Sequence, residues 1–142
     1  MKSRKIERIL NSNKYFLGCF SIFNLPKYLF FPCSLIINNE KKFPHWISIL
    51  LLEDTCIYFD SFGIKTLPIL ILYFLLHIYK DRKIKIFFNL KRIQSYSSYN
   101  CADFCIKFIQ FVNSKHTYKS FLTKFDYKKQ KNNDIIVKSL CL

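Results

Sequence analysis

The stretch "HWISILLLEDTCIYFD" (45–60) decides how the rest of the chain is organised. It holds two apolar, β-type runs, "HWISILLL" and "CIYFD", separated by the polar residues "EDT". Apolar runs of this length on either side of a short polar turn are typical of two adjacent antiparallel strands. We therefore predict a β-hairpin whose turn centres near Glu53 and Asp54. Such a hairpin brings His45, at the start of the first strand, to the same edge of the sheet as Asp60.

Further strands and helices are predicted on both sides of this hairpin. Short β-type segments occur at "YFLGCF" (15–20), "CSLIIN" (33–38) and the alternating "KIKIFFN" (83–89). Apolar spacing predicts helices over residues 2–11, 67–79, 101–113, 117–125 and 134–140. Thr66 and Pro68 are expected to cap and start the second of these helices. The order of elements predicts an α+β fold, with residues 1–142 forming a single domain.

The chain is strongly basic. Lys and Arg total 23 against 9 Asp and Glu, so the formal charge is +14. A field of this sign attracts polyanions, which makes non-specific binding of DNA through a basic surface one expectation and a merely solvated basic surface the other. The many Phe, Tyr, Ile, Lys and Asn residues also fit an A+T-rich coding sequence. Aromatic content alone is therefore not taken as a sign of a binding surface.

Cysteine and histidine usage indicates reduced thiols and no metal site. The hydrophobic share of 51% is enough for a core that needs no disulfides. There is no CxxC pair, and the three histidines have no metal-ligand spacing to the cysteines. We expect no cofactor, and a cytosolic, nuclear or intravirion setting. The cysteines are residues 19, 33, 56, 101, 105 and 141.

Two segments imitate membrane or export signals. "MKSRKIERIL" has the positive charge of a secretory leader. "NSNK" (11–14) separates it from the apolar run that follows, however, and no small-residue cleavage site appears. "LPILILYFLLHIY" (67–79) is apolar but shorter than the roughly 20 residues that a bilayer requires. We therefore expect a protein that is neither secreted nor embedded in a membrane.

Chemistry is concentrated before and at the start of the helix predicted over 101–113. The positive end of the helix dipole favours a thiolate at Cys101, and Gln94 offers an uncharged N–H donor upstream. With the Cys101 backbone N–H, that donor could hold the oxyanion of a tetrahedral intermediate. Each residue also has a purely structural alternative: a buried cysteine, a solvated loop glutamine, and His45 and Asp60 as ordinary strand-end residues. Spacing alone does not bring Cys101 near His45.

A family resemblance favours the chemical interpretation. "PHW" (44–46), "IYFDSFG" (57–63) and "IQSYSSYNCADFC" (93–105) resemble the motifs of adenain-type cysteine proteases, found in adenoviruses, virus-like transposons and other large DNA viruses. "YFLGCF" and "PCSLIIN" (32–38) are similar to the segments that precede them. The likeness covers roughly residues 6 to 112, in order and with matching gaps. It implies a papain-like, adenain-like fold with a mixed central sheet and a buried helix that bears the nucleophile.

The resemblance also implies a role for each matching residue. Cys101 would be the nucleophile and His45 the base. Asp60 would be the third member of the triad, and Gln94 the oxyanion donor. Trp46 would be the aromatic residue that flanks the substrate cleft.

The chain departs from the family pattern at three points. Ala102 stands where the family has Gly, and Asp103 stands where an apolar residue is common. The adenoviral enzyme is activated by a peptide that is disulfide-linked to a cysteine before the Gln. Residues 57–100 contain no cysteine, and Lys83 stands in about that place. Disulfide-linked activation is therefore not supported, while activation by nucleic acid or by a peptide held otherwise stays open.

The expected function is that of a monomeric cysteine endopeptidase. Its substrates would be capsid or core precursors, cleaved during virion maturation in the host nucleus or cytoplasm and in the virion. One alternative is a protease of the same fold that removes ubiquitin-like modifiers. The other is a non-enzymatic, basic nucleic-acid-binding protein derived from a protease.

Overall fold

A computed structural model describes residues 1–39, 44–113 and 117–140. Within these residues a five-stranded sheet has the spatial order β1-β2-β3-β4-β5. The strands are β1 (Phe16–Ser21), β2 (Cys33–Asn38), β3 (Trp46–Leu51), β4 (Thr55–Phe59) and β5 (Lys85–Phe88). The helices are α1 (Ser3–Leu10), α2 (Ile69–Tyr79), α3 (Cys101–Asn113), α4 (Tyr118–Leu122) and α5 (Gln130–Ser139). The predicted α+β fold with a mixed central sheet is confirmed.

The predicted hairpin forms the centre of the sheet. β3 and β4 are antiparallel, with Ser48 opposite Phe59, and the Leu52 N–H donates to the Thr55 carbonyl at the turn, 2.8 Å away. β2 is also antiparallel to β3, whereas β1 and β5 pair in parallel with their neighbours. All six residues of β3 are buried, as expected for a central strand that is covered on both faces.

Helices cover both faces of the sheet, and the described residues form two apolar clusters, one on each face. Successive residues of β3 point to opposite faces: Leu50 joins the cluster of α3, and Ile49 joins the cluster of α2. On the α3 side, Phe59 of β4 stacks on Phe108 with ring centroids 4.9 Å apart. α3 is thus a buried helix packed on β3, which fixes the position of its first residue.

The observed helix boundaries differ from the predicted ones where the end of a helix consists of polar residues. α3 occupies the predicted range, but α5 begins at Gln130 rather than 134 because its first turn, "QKNN", has no apolar residue to reveal the period. α4 covers only part of the predicted 117–125. The predicted cap at Thr66 is wrong: Pro68 occupies the N-cap of α2, and no side chain caps the helix.

Two broader expectations relate to the whole chain. No helix within the described residues is long and apolar enough to cross a membrane. That residues 1–142 form a single domain stays a prediction.

Gly63 allows the turn after β4 to pack closely against the segment that leads to α3. Its φ is +69°, and a Cβ there would lie 2.5 Å from the Leu90 carbonyl oxygen. The same close packing lets the Ser61 carbonyl accept hydrogen bonds from the N–H groups of Ile93 and Gln94, at 2.9 and 3.0 Å. Gly63 therefore places Gln94 next to the end of β4.

Replacing Gly63 with alanine should destabilise the protein. The left-handed conformation and the backbone clash together should reduce the free energy of unfolding by about 1–3 kcal/mol. Urea denaturation would measure the loss. Lys65→Ala, at an exposed position in the same turn region, is the control and should change stability by less than about 0.5 kcal/mol. Equal stability of the two variants would contradict the packing role of Gly63.

Candidate active site

The hairpin brings an imidazole and a carboxylate into direct contact. His45 immediately precedes β3 and Asp60 immediately follows β4, and both are buried. His45 Nε2 and Asp60 Oδ1 are 2.7 Å apart. A carboxylate in this position orients the ring and stabilises its protonated form. The predicted meeting of these two residues at one sheet edge is confirmed.

Asp60 is itself held from two directions. Its Oδ1 also accepts a hydrogen bond from the Phe62 N–H at 2.9 Å. Asn89, just beyond β5, accepts from the Asp60 N–H at 3.0 Å and donates to the Asp60 carbonyl at 2.5 Å. The ring of Phe62 stacks on His45 with centroids 4.7 Å apart. These contacts fix the carboxylate and the imidazole relative to each other.

Cys101, the first residue of α3, lies beside His45. Burial raises the pKa of the Cys101 thiol, but the neighbouring His45 imidazole and the Trp46 backbone lower it below its ordinary value. Burial lowers the pKa of His45, but its hydrogen bond to Asp60 and its proximity to Cys101 raise it to about 9. Opposite shifts in two neighbouring groups favour a thiolate–imidazolium pair.

The ring nitrogens of His45 have separate surroundings. Nε2 is occupied by Asp60, while Nδ1 is buried and has no conventional hydrogen bond within the described part of the chain. Nδ1 is therefore the nitrogen left for the Cys101 thiol. This is the arrangement in which an imidazole can exchange a proton at one nitrogen while a carboxylate holds the other.

The Cys101 thiol differs in acidity from the other thiols that the structure describes. Burial raises the pKa of Cys33 to about 11 and those of Cys19 and Cys56 to about 12, and it raises that of Cys105 well above the ordinary value. All five of these cysteines are free. Within the described ranges, no group of three or more His, Cys, Asp or Glu side chains could hold a metal ion.

Gln94 is fully buried in the loop before α3, and both ends of its amide are bonded. Ser61 Oγ donates to Oε1 at 2.5 Å, and Nε2 donates to the Ser98 carbonyl at 2.9 Å. Because a carbonyl can only accept, the amide nitrogen must face Ser98. One of the two N–H bonds of the amide is thereby used. The role of Gln94 as oxyanion donor stays a prediction.

Trp46 is more enclosed than a cleft residue needs to be. Only 7% of it is exposed, and its indole Nε1 donates to the Met1 carbonyl at 3.1 Å. Its backbone carbonyl accepts from the buried Cys105 thiol at 3.3 Å. Trp46 therefore contacts α3 from the sheet side, through the bond to Cys105. Contact with a substrate stays a prediction.

The two sequence departures beside Cys101 fit the helix. Ala102 is buried in regular α3, and its φ is not positive, so the backbone there does not need glycine. Partial burial raises the pKa of Asp103, while Lys138 and the N-terminal amine act in the opposite direction. Both residues are therefore compatible with a regular first turn of α3.

Sequence reasoning missed several buried polar residues around this site. Asn89 and Asp134 are single polar residues outside any motif, and Ser61 lies within "IYFDSFG" (57–63) but was given no role. Asn89 could have been found, because β4 and β5 are parallel and the residues after them meet at one edge of the sheet. No signal in the sequence marks Asp134, which lies about forty residues after the loop it contacts.

Comparison with known proteins supports the fold. No protein-family model and no curated protein matches the chain. A crystal structure of the ASFV pS273R protease matches with a TM-score of 0.65 and 14% identity over 99% of this chain. The selenomethionine form of that protease matches with a TM-score of 0.54 and 16% identity over 78% of this chain. The chain spans 65% and 45% of those two structures, respectively.

These similarities concern the fold. At 14–16% identity the shared architecture is established, while activity and substrates have to be argued from the site. The predicted resemblance to adenain-type cysteine proteases is confirmed at this level. The chain has the fold of a viral cysteine protease.

Cys101 should be alkylated faster by iodoacetamide at neutral pH than any other described cysteine. Its lowered pKa supplies more thiolate at neutral pH than a thiol of ordinary pKa would have. His45→Ala should raise that pKa and slow labelling at pH 7 by about tenfold or more. Rates measured by mass spectrometry between pH 5 and pH 10 (about the range in which thiols titrate) would test both statements.

Two matched variants control this measurement. Cys101→Ser should abolish the fast labelling, whereas Cys33→Ser, which removes a buried thiol of raised pKa, should leave it unchanged. Asp60→Asn should lower the pKa of His45 from about 9. The pH range in which the thiolate–imidazolium pair exists would then end at a lower pH. Slow and uniform labelling of every cysteine would contradict the thiolate–imidazolium pair.

Proposed function

We propose that the protein is a cysteine endopeptidase that cleaves viral or virus-like structural precursors. The observation that carries this proposal is the buried hydrogen bond between His45 and Asp60, next to which Cys101 and His45 shift each other's pKa in opposite directions. The fold shared with a viral cysteine protease supports it. The substrates, the expected location in the host nucleus or cytoplasm and in the virion, and the monomeric state are parts of the proposal.

The proposed reaction assigns a step to each of Cys101, Gln94 and His45. Cys101 Sγ attacks the carbonyl carbon of the scissile peptide, and the carbonyl electrons move onto oxygen. The Gln94 amide and the Cys101 backbone N–H stabilise this oxyanion. When the intermediate collapses, the C–N bond breaks and His45 donates its proton to the leaving amine.

Water completes the cycle. His45, now neutral, removes a proton from a water molecule that attacks the thioester carbonyl, and the C–S bond breaks to regenerate the thiolate. Asp60 holds the imidazole throughout and stabilises its protonated form. The proposed steps use no cofactor. Activation by nucleic acid or by a peptide is compatible with them, whereas disulfide-linked peptide activation is not proposed.

Removal of ubiquitin-like modifiers is the nearest alternative, since it would use the same four residues. A panel of two substrate types separates the two activities: peptides with small residues before the scissile bond, taken from capsid or core precursors, and modifier probes that end in Gly-Gly. Preference for the modifier probes would favour the alternative.

Catalysis should depend on Cys101 and Gln94 to different degrees. Cys101→Ala should abolish cleavage of the precursor peptides, because the nucleophile is lost. Gln94→Ala should reduce kcat by about 10²–10³-fold, the usual effect of removing one oxyanion donor. Steady-state kinetics would measure both. Retention of proteolysis in Cys101→Ala would refute the proposal.

A second candidate function, binding of single-stranded nucleic acid, is supported by a groove away from the site. The groove has a volume of about 770 Å³, and Lys14, Lys27 and Lys80 are among its lining residues. Two aromatic side chains in it, Tyr28 and Phe30, are 90% and 92% exposed. Lysines that follow a phosphate backbone and exposed rings that stack on bases are the usual elements of such sites.

Replacing the two exposed rings should weaken binding of a single-stranded oligonucleotide. Tyr28→Ala and Phe30→Ala should each reduce affinity about fivefold or more, since each stacked base contributes about 1–3 kcal/mol. Fluorescence anisotropy at several salt concentrations would measure this, with affinity falling steeply as salt rises. Tyr73→Ala, exposed on α2 outside the groove, is the control. Equal losses in all three variants would contradict a site in this groove.

A further inference from the structure

A buried carboxylate on the C-terminal helix organises the loop that precedes the nucleophile. Asp134 of α5 is 8% exposed. Its Oδ2 accepts from Ser95 Oγ at 2.5 Å, and its Oδ1 accepts from Ser98 Oγ at 3.1 Å and from the Ser95 N–H at 3.4 Å. Its backbone carbonyl accepts from Asn100 Nδ2 at 3.3 Å. One residue thus contacts three positions of the 95–100 loop.

The same hydrogen-bond network continues to Gln94. Ser98, whose hydroxyl binds Asp134, accepts the Gln94 Nε2–H on its backbone carbonyl. At the other end of the loop, Asn133 Nδ2 donates to the Ile93 carbonyl at 2.9 Å. Adjacent residues of α5 therefore hold the residue before Gln94 and the residue to which its amide is bonded.

We propose that Asp134 is a positioning residue for Gln94, acting through Ser98. This inference rests on the proposed function, in which Gln94 donates to an oxyanion. An oxyanion donor must lie within about 2.7–3.1 Å of the oxygen as it becomes charged. A displacement of about 1 Å can cost about 10²-fold in rate. Asp134 fixes the Ser98 carbonyl and thereby the direction of the remaining N–H bond of Gln94.

Two reagents distinguish this role from general support of the fold. With a peptide aldehyde, acetyl-Leu-Gly-Gly-aldehyde, the Cys101 thiolate adds to the carbonyl carbon and the π electrons of the C=O bond move onto oxygen, so that a C–S bond forms without a leaving group and the oxygen needs the donor. Iodoacetamide also forms a C–S bond but expels iodide and generates no oxyanion. Asp134→Asn, nearly identical in shape, should weaken aldehyde inhibition about 10- to 100-fold. The alkylation rate of Cys101 at pH 7 should stay unchanged, because its contact with His45 is intact.

A double-variant cycle tests the route through Gln94. If Asp134 acts by placing the Gln94 amide, Gln94→Ala combined with Asp134→Asn should weaken the aldehyde no more than Gln94→Ala alone. Asp126→Asn is the matched control: it makes the same substitution in the same C-terminal segment, where the exposed carboxylate binds the Lys128 N–H rather than the loop. It should leave aldehyde affinity and alkylation unchanged.

Ser98→Ala provides a second approach if Asp134→Asn lowers the melting temperature. It removes the one hydroxyl through which Asp134 holds Ser98, leaves the contacts of Asp134 with Ser95 and Asn100 in place, and should reproduce the loss of aldehyde affinity. Unchanged affinity in both variants, or losses that add to that of Gln94→Ala, would overturn the inference and leave the proposed protease intact. Absence of aldehyde inhibition in the unaltered protein would instead reject the proposed function, and the inference with it.

Discussion

The hydrogen bond between His45 and Asp60 depends on the register of one hairpin. Its strands are joined by a turn of three residues, Leu52, Glu53 and Asp54, and their pairing places His45 and Asp60 at the opposite end of the hairpin. A slip of one residue would turn every side chain of β3 to the opposite face. Leu50 and Ile49 would then exchange apolar clusters. Core packing on both faces therefore protects the geometry of the site.

Hydrogen bonds within the protein stabilise the charged groups at this edge of the sheet. His45, Asp60 and Gln94 are all buried, and buried polar groups are costly unless hydrogen bonds satisfy them. The pKa of His45 is raised from 6.5 to about 9. Its charged form therefore stabilises the folded protein fully below about pH 6.5, and that contribution is lost as the pH rises through about 9. The interaction that keeps His45 charged in the candidate site therefore also stabilises the folded protein.

Sequence reasoning succeeded where apolar periodicity was strong and failed where polar contacts decide the structure. The β3–β4 hairpin and the limits of α3 followed from patterns of buried residues. The start of α5 did not, because Asn133 and Asp134 are buried for their hydrogen bonds and break the apolar period. The contact between Cys101 and His45 joins residues far apart in sequence, so it required the family resemblance or the coordinates.

The buried face of α5 shows why such polar contacts occur where they do. A helix that served only the core would present apolar side chains to it, yet only Val137 does so among the three buried residues of α5. The other two bind the loop before α3, whose conformation no regular secondary structure determines. Backbone groups in such a loop must find partners elsewhere when they are buried. A carboxylate and an amide on a rigid helix supply those partners and hold Gln94 in one position.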